Sequence, residues 1–115
     1  FTTLITNTGG HYDGTNTFTA PVTGVYLFCG TVMCDNADVD HTYMQLKLHT
    51  SNLDAFEFAM IRPTHVFNAD TSWVLNGSHI TDMDANDTAF LEVRFTDGHN
   101  ASNVSDNSYF MGTLL

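Results

Sequence analysis

Large apolar side chains alternate with small or polar ones along most of this chain. A period of two places successive side chains on opposite faces of an extended backbone, so the pattern predicts β-strands. The clearest run is 24–33. Others fall at 4–6, 18–19, 43–49, 55–61, 73–75, 79–83, 89–95 and 109–115. Turn residues separate them: Gly9-Gly10, then 13–16, 50–52 and 84–87. Three connections are longer: an acidic loop at 35–40, an irregular stretch at 63–72, and a polar loop rich in Asn and Ser at 97–107. Pro21 suits a turn or an edge, because proline cannot donate to a ladder. No stretch shows apolar residues at helical spacing. Roughly eight or nine short strands in one domain spanning 1–115 predict an all-β fold, a sandwich, jelly roll or small barrel.

The 24–33 strand is apolar on both faces. Tyr26, Phe28, Gly30 and Val32 share one; Val25, Leu27, Cys29, Thr31 and Met33 share the other. A strand in a small sandwich needs only one apolar face for the core. The second face predicts a further packing surface, which another subunit would supply. Cys29 and Cys34 are an odd number of residues apart on an extended segment, so they point to opposite faces and are too distant to bridge. Buried thiols, or partners outside this segment, are the expectation.

Charge narrows the partners. Three basic residues (Lys47, Arg62, Arg94) stand against thirteen acidic ones, a net charge of -10. Phosphate recognition needs clustered Lys and Arg, so nucleic acid and anionic membranes are poor partners, and neither nucleic acid nor membrane insertion is expected. Cations, or solubility alone, fit the balance. No apolar run is long enough to span a bilayer. The sequence opens at Phe1 without a secretory leader, which reads as a mature form or a fragment. Asn-x-Ser/Thr sequons at Asn76, Asn86, Asn100 and Asn103 are candidate glycosylation sites, as a glycoprotein would carry.

Catalytic patterns are missing from the sequence. The six histidines (His11, His41, His49, His65, His79, His99) are scattered without metal-site spacing. There is no phosphate-cradling glycine loop and no nucleophile elbow. An enzyme is not expected. Asp35, Asp38 and Asp40 crowd one loop, where self-repulsion calls for solvent or a cation such as Ca²⁺, which takes six to eight oxygen ligands. Asp82, Asp84 and Asp87 form a second acidic group. Plain surface carboxylates are the competing reading of both. For ligand contact, aromatic rings stack on sugars while amides take hydroxyls. Tyr43, Trp73 and Tyr109, with Asn100, Asn103 and Asn107 of the polar loop, are the candidates. Core packing is the competing reading for Trp73.

Two separated motifs resemble one family. Phe1, Asn7, Tyr12, Phe18, Gly24, Tyr26 and Phe28 follow in order the opening pattern of the globular C1q domain, a jelly-roll family related to tumour necrosis factor. Phe110, Gly112, Leu114 and Leu115 match its closing Phe-x-Gly-x-Leu-Leu. Residues 86–93 are similar to its turn-and-strand of Gly-Asp and alternating apolar residues. The departures are specific. Gly30 stands where the family has Phe or Tyr, so core volume must come from elsewhere. Asn86 replaces a turn glycine and tolerates positive φ. The family's first strand, expected before Phe1, is not within the sequence, nor is a collagen-like or coiled stalk. The resemblance implies a two-sheet jelly roll, a compact homotrimer or heterotrimer, and secretion. It places Ca²⁺ ligands near Asp70 and suggests a lectin-like pattern-recognition role in innate immunity. An acidic, calcium-interacting matrix protein on the same fold is the alternative, and a receptor-binding ligand is a third.

Overall fold

The computed structural model describes residues 17–52, 55–66, 69, 71–97, 103–105 and 108–115. The expected strand at 4–6, and the motif residues Phe1, Asn7 and Tyr12, lie outside them. Eight strands are described: β1 (Phe18–Thr19), β2 (Gly24–Ala37), β3 (His41–Thr50), β4 (Phe56–Ile61), β5 (Thr71–Met83), β6 (Thr88–Asp97), β7 (Asn103–Val104) and β8 (Tyr109–Leu114). One helical turn, α1 (Pro63–Val66), follows β4.

The strands form two antiparallel sheets in a jelly-roll sandwich. One has the order β1-β6-β3-β4 and is called here the β6 sheet. In the other, the β2 sheet, β5 runs along one edge of β2, and β8 and β7 share the opposite edge. Alternation in β2 divides its side chains as expected. Tyr26, Phe28, Val32 and Cys34 are buried between the sheets, together with Met44, Leu46 and Leu48 of β3, Leu91 of β6 and Phe110 of β8.

The two sequence motifs meet in this core. Phe18 packs edge-on against Tyr26 (5.7 Å between centroids) and Phe28 (5.2 Å), and Phe28 stacks at 5.8 Å on Phe110. Phe28 also lies directly opposite Gly112 across the β2–β8 ladder. A β-carbon on Gly112 would sit 2.6 Å from the Phe28 ring and 3.1 Å from Phe18. The glycine of the closing motif is therefore a slot for the aromatics of the opening one. A buried tyrosine hydroxyl must find a partner. Tyr26 donates its O–H to the carbonyl of Val22 at 2.7 Å, which pins the loop after Pro21.

Gly30 receives its missing volume from the other sheet. A β-carbon there would collide with Cδ1 of Leu91. Its cross-strand partner is Gly77, whose β-carbon would lie 2.6 Å from Cβ of Phe58. The paired glycines are a hollow into which Leu91 and Phe58 project. Gly77 also explains why the expected strands 73–75 and 79–83 are one strand: it continues the ladder and faces the core.

Three sequence boundaries move. The acidic stretch 35–40 is not all loop, because β2 runs through Asp35 and Asn36 to Ala37, with Asn36 at φ 53 where the register shifts. The irregular stretch 63–72 holds α1 and the start of β5. Within 97–107, Asn103–Val104 pairs with Cys34–Asp35. The turn at 84–87 forms as expected, with Asn86 at φ 74. Ala20 clamps it: its N–H donates to the carbonyl of Asp87, and its own carbonyl accepts the N–H of Asn86, both at 2.8 Å.

Gly30→Ala tests the hollow. Overpacking of this kind costs about 1–3 kcal/mol. Urea unfolding should show a lower midpoint with an unchanged slope. A variant as stable as the parent would mean that Leu91 withdraws freely.

Candidate functional site

Two solvent faces remain once the core is filled, and they differ in chemistry. On the β2 sheet, Val25, Leu27, Cys29, Thr31 and Met33 point away from the core. Register places Ile80 beside Leu27, Val74 beside Met33, and Met111 beside Cys29. Val25, Val74 and Ile80 are 40%, 45% and 57% exposed. Along one strip of this apolar face runs a shallow groove of ≈ 370 Å³, lined by Cys29, Thr31, Asn76, Ser78 and Tyr109. Tyr109 and Asn76 are thus brought together, on opposite sides of Thr31.

The β6 sheet presents a polar face. β3 supplies Tyr43, Gln45, Lys47 and His49; β6 supplies Thr96, Arg94, Glu92 and Phe90 opposite them in that order. His49 and Phe90 stack almost parallel, with centroids 4.8 Å apart and planes 3° from each other. The His49 Nε2 atom is shielded from solvent without a hydrogen bond, 3.6 Å from Glu92 Oε1. Arg94 Nε lies 3.9 Å from the same oxygen. From β4, Glu57 accepts a hydrogen bond from Gln45 Nε2 at 3.3 Å. Arg62 donates to the Tyr43 hydroxyl at 3.3 Å, with its guanidinium carbon 5.1 Å from the ring centroid, a cation–π contact.

The candidates read from sequence are dispersed. Asp35 is half-buried in β2 and accepts a hydrogen bond from Ser72 Oγ at 3.3 Å. Asp38 is no surface carboxylate. It is 2% exposed, and its Oδ1 accepts the N–H of Asp40 at 2.8 Å, so it shapes the turn into β3. Asp40 is exposed beside it. Among the described residues, no three His, Cys, Asp or Glu side chains gather as metal ligands would. Asp70, Asn100 and Asn107 lie outside the described residues. Asn103 enters the description through its backbone pairing with Asp35. Trp73 packs against the core. Tyr43 is engaged by Arg62, and Tyr109 lines the groove. Of the sequons, Asn76 and Asn86 are both exposed, the first in mid-strand and the second in a turn. In the acidic group 82–87, Asp87 is committed to structure: its Oδ2 accepts the N–H of Asp84 at 2.7 Å, and its Oδ1 the hydroxyl of Ser51 at 3.1 Å.

Sequence reasoning missed the grouping of Lys47, Arg62, Arg94 and the His49–Phe90 pair. Lys47 and His49 share a face by parity. That Arg94 and Phe90 join them depends on the β3–β6 register, which is long-range. The cysteines are free thiols, Cys29 half-buried and Cys34 buried. Burial, and secondarily the Asp35 carboxylate, push the Cys34 thiol up from 9.0 to about 11.

A family model described as C1q domain matches residues 1–115. Among solved structures, the globular domain of the zebrafish complement 1qA protein is similar to this chain. It is 18% identical with a TM-score of 0.59, and the match covers 94% of this chain and 73% of that one. At this identity the likeness is one of fold. No curated protein matches the chain.

The Cys34 shift carries a pH consequence. A thiol that keeps its proton longer in the folded state stabilises that state fully below pH 9.0, and loses the contribution as pH rises through about 11. The loss is on the order of 2–3 kcal/mol. Between pH 8 and pH 11, Cys34→Ala should lose less stability than the parent. Equal losses would show that the thiol is not responsible.

Proposed function

Because the chain belongs to the C1q domain family, we propose that it is a secreted recognition module that assembles as a trimer and binds glycans weakly at each copy. Repetition of weak sites raises avidity without any single strong contact, provided that the geometry allows simultaneous engagement. Such a module suits pattern recognition in innate immunity. No helix among the described residues is long and apolar enough to cross a membrane.

The observation that carries the reading is the apolar solvent face of the β2 sheet. Val25, Leu27, Ile80 and Met111 form one apolar group and Met33 with Val74 another, on either side of the strip at Thr31 and Asn76, and exposed apolar groups spread over several strands mark an interaction surface. A second and third copy of the same chain would bury it. The polar face of the β6 sheet, on the other side of the sandwich, then stays available to ligand.

Two consequences of assembly are measurable. Ile80→Asp places a charge in the covered face while leaving the core untouched. It should shift sedimentation from trimer to monomer with the fold intact by circular dichroism; a trimer that survives the substitution would place the interface elsewhere. Asn76 lies on that same face, so in assembled material it should be bare, whereas Asn86, in its turn, should carry sugar. Glycopeptide mass spectrometry of the secreted trimer reads this directly, and a glycan on Asn76 would contradict assembly through this face.

The matrix reading has the charge in its favour, with thirteen acidic residues against three basic. Calcium titration separates it from the first. A rise in melting temperature with Ca²⁺, together with silence on a glycan array, supports the matrix protein. Glycan binding indifferent to chelator supports the recognition module.

A further inference from the structure

The apolar face of the β2 sheet is interrupted at its middle. Register sets Tyr109, Thr31 and Asn76 in one row across β8, β2 and β5, with Ser78 beside Cys29 in the next. These groups line the shallow groove of ≈ 370 Å³. On one side of it stand Val25, Leu27, Ile80 and Met111; on the other, Met33 and Val74. Assembly through this face covers the groove too, and burial of apolar area does not account for polar groups at its centre. We propose that these groups are a register key: they admit a second copy of this chain in one placement and reject other placements and other partners. The inference rests on the trimer reading above and adds what selects the partner.

Charge limits what covers the face. Copies of a chain of net charge -10 repel one another, and contact is least opposed where no formal charge stands. From Leu27 to Met33, and at their partners on β5 and β8, the outward positions hold no Asp, Glu, Lys, Arg or His. Asp82, opposite Val25, and Asp35, bonded to Ser72, mark the two ends. The centre of the face is thus a surface that a like-charged copy can approach, and it offers a basic partner no carboxylate. The apolar groups do not fix the placement, because their burial is non-directional. Outward positions recur about every 7 Å along a strand. A copy displaced by one such step still sets apolar groups against apolar groups. Hydrogen bonds are directional and do not tolerate the step. Among the described residues, the side chains of Thr31, Asn76, Ser78 and Tyr109 have no hydrogen-bond partner. Thr31 and Tyr109 are half-buried, and Asn76 and Ser78 are exposed, so water satisfies them in the separated chain. Once covered, each must bond to the adjoining copy or to a trapped water. Polar groups within an apolar interface fix register and number in this way, at a cost in stability.

Sedimentation and subunit exchange of the intact protein test this. Thr31→Val and Tyr109→Phe each delete one hydroxyl with little change of shape, and they leave the sequon at Asn76 whole. A fourfold variant, Thr31→Val with Asn76→Leu, Ser78→Ala and Tyr109→Phe, makes the strip apolar. Circular dichroism confirms the fold of each. The parent should sediment as one species, a trimer. Each single deletion leaves a covered partner unpaired and should weaken assembly about tenfold. The fourfold variant should associate at least as tightly as the parent, because no covered group is left unpaired, yet spread over more than one oligomer. Mixed with labelled parent, it should stay out of parent trimers. Single deletions without effect on assembly would overturn the key and leave the trimer reading standing, and they decide the question if the fourfold variant does not fold. A fourfold variant that forms one sharp trimer and exchanges freely with the parent would overturn it as well. So would one that associates more weakly than either single deletion, since the strip would then be adhesive without being selective. A parent that sediments as a monomer at every concentration would overturn the trimer reading itself.

Discussion

The contact on which the rest of the structure depends is that of the Phe28 ring against the bare backbone of Gly112. It joins β2 to β8 where the two residues face each other across the ladder, and it gives Phe18 and Phe110 a common neighbour. Each aromatic buries a large area, and their edge-on and stacked arrangements contribute beyond area alone. With that cluster in place, β2 is fixed as the central strand of its sheet. Its other face is then committed to the exterior, and β5 is aligned along it. Both candidate surfaces follow from this one alignment.

The sheets are held at their spacing by a different device. Gly30 and Gly77, paired across β2 and β5, admit Leu91 and Phe58 from the opposing sheet. The volume that side chains at these two positions would fill is supplied from β6 and β4. Interiors pack at near-crystalline density, so such an exchange must be local and nearly complete. The start of β8 is tied to β2 by a side chain as well: Ser108, fully buried, accepts the N–H of Met33 at 3.0 Å.

Much of this was legible in the sequence, for physical reasons. Alternation in 24–33 and 43–49 depends only on local geometry, and it divided core from exterior correctly. The positive φ of Asn86 followed from the residue type a tight turn admits. What was not legible depends on pairing between distant segments. That Leu91 fills the space at Gly30, or that Phe90 and Arg94 flank Lys47, is decided by the β3–β6 register and by sandwich packing. The burial of Asp38 was not legible because an acidic stretch looks solvated, whereas its carboxylate accepts a backbone N–H within the turn. The single strand at 71–83 was divided because a glycine in mid-run resembles a break until the ring that occupies its space is seen.

The confinement of every basic side chain to one face has a kinetic side. On a body of strong net negative charge, gathering the few cations on one face makes the repulsion felt by an approaching anion uneven. Among the described residues, the β6 sheet is the face on which that repulsion is most relieved. Encounters in other attitudes are slowed rather than prevented. The effect extends over about 8–10 Å at physiological ionic strength and shrinks as salt rises. Orientation would thus be selected during approach, through the distribution of charge over the whole domain, ahead of any contact with an individual side chain.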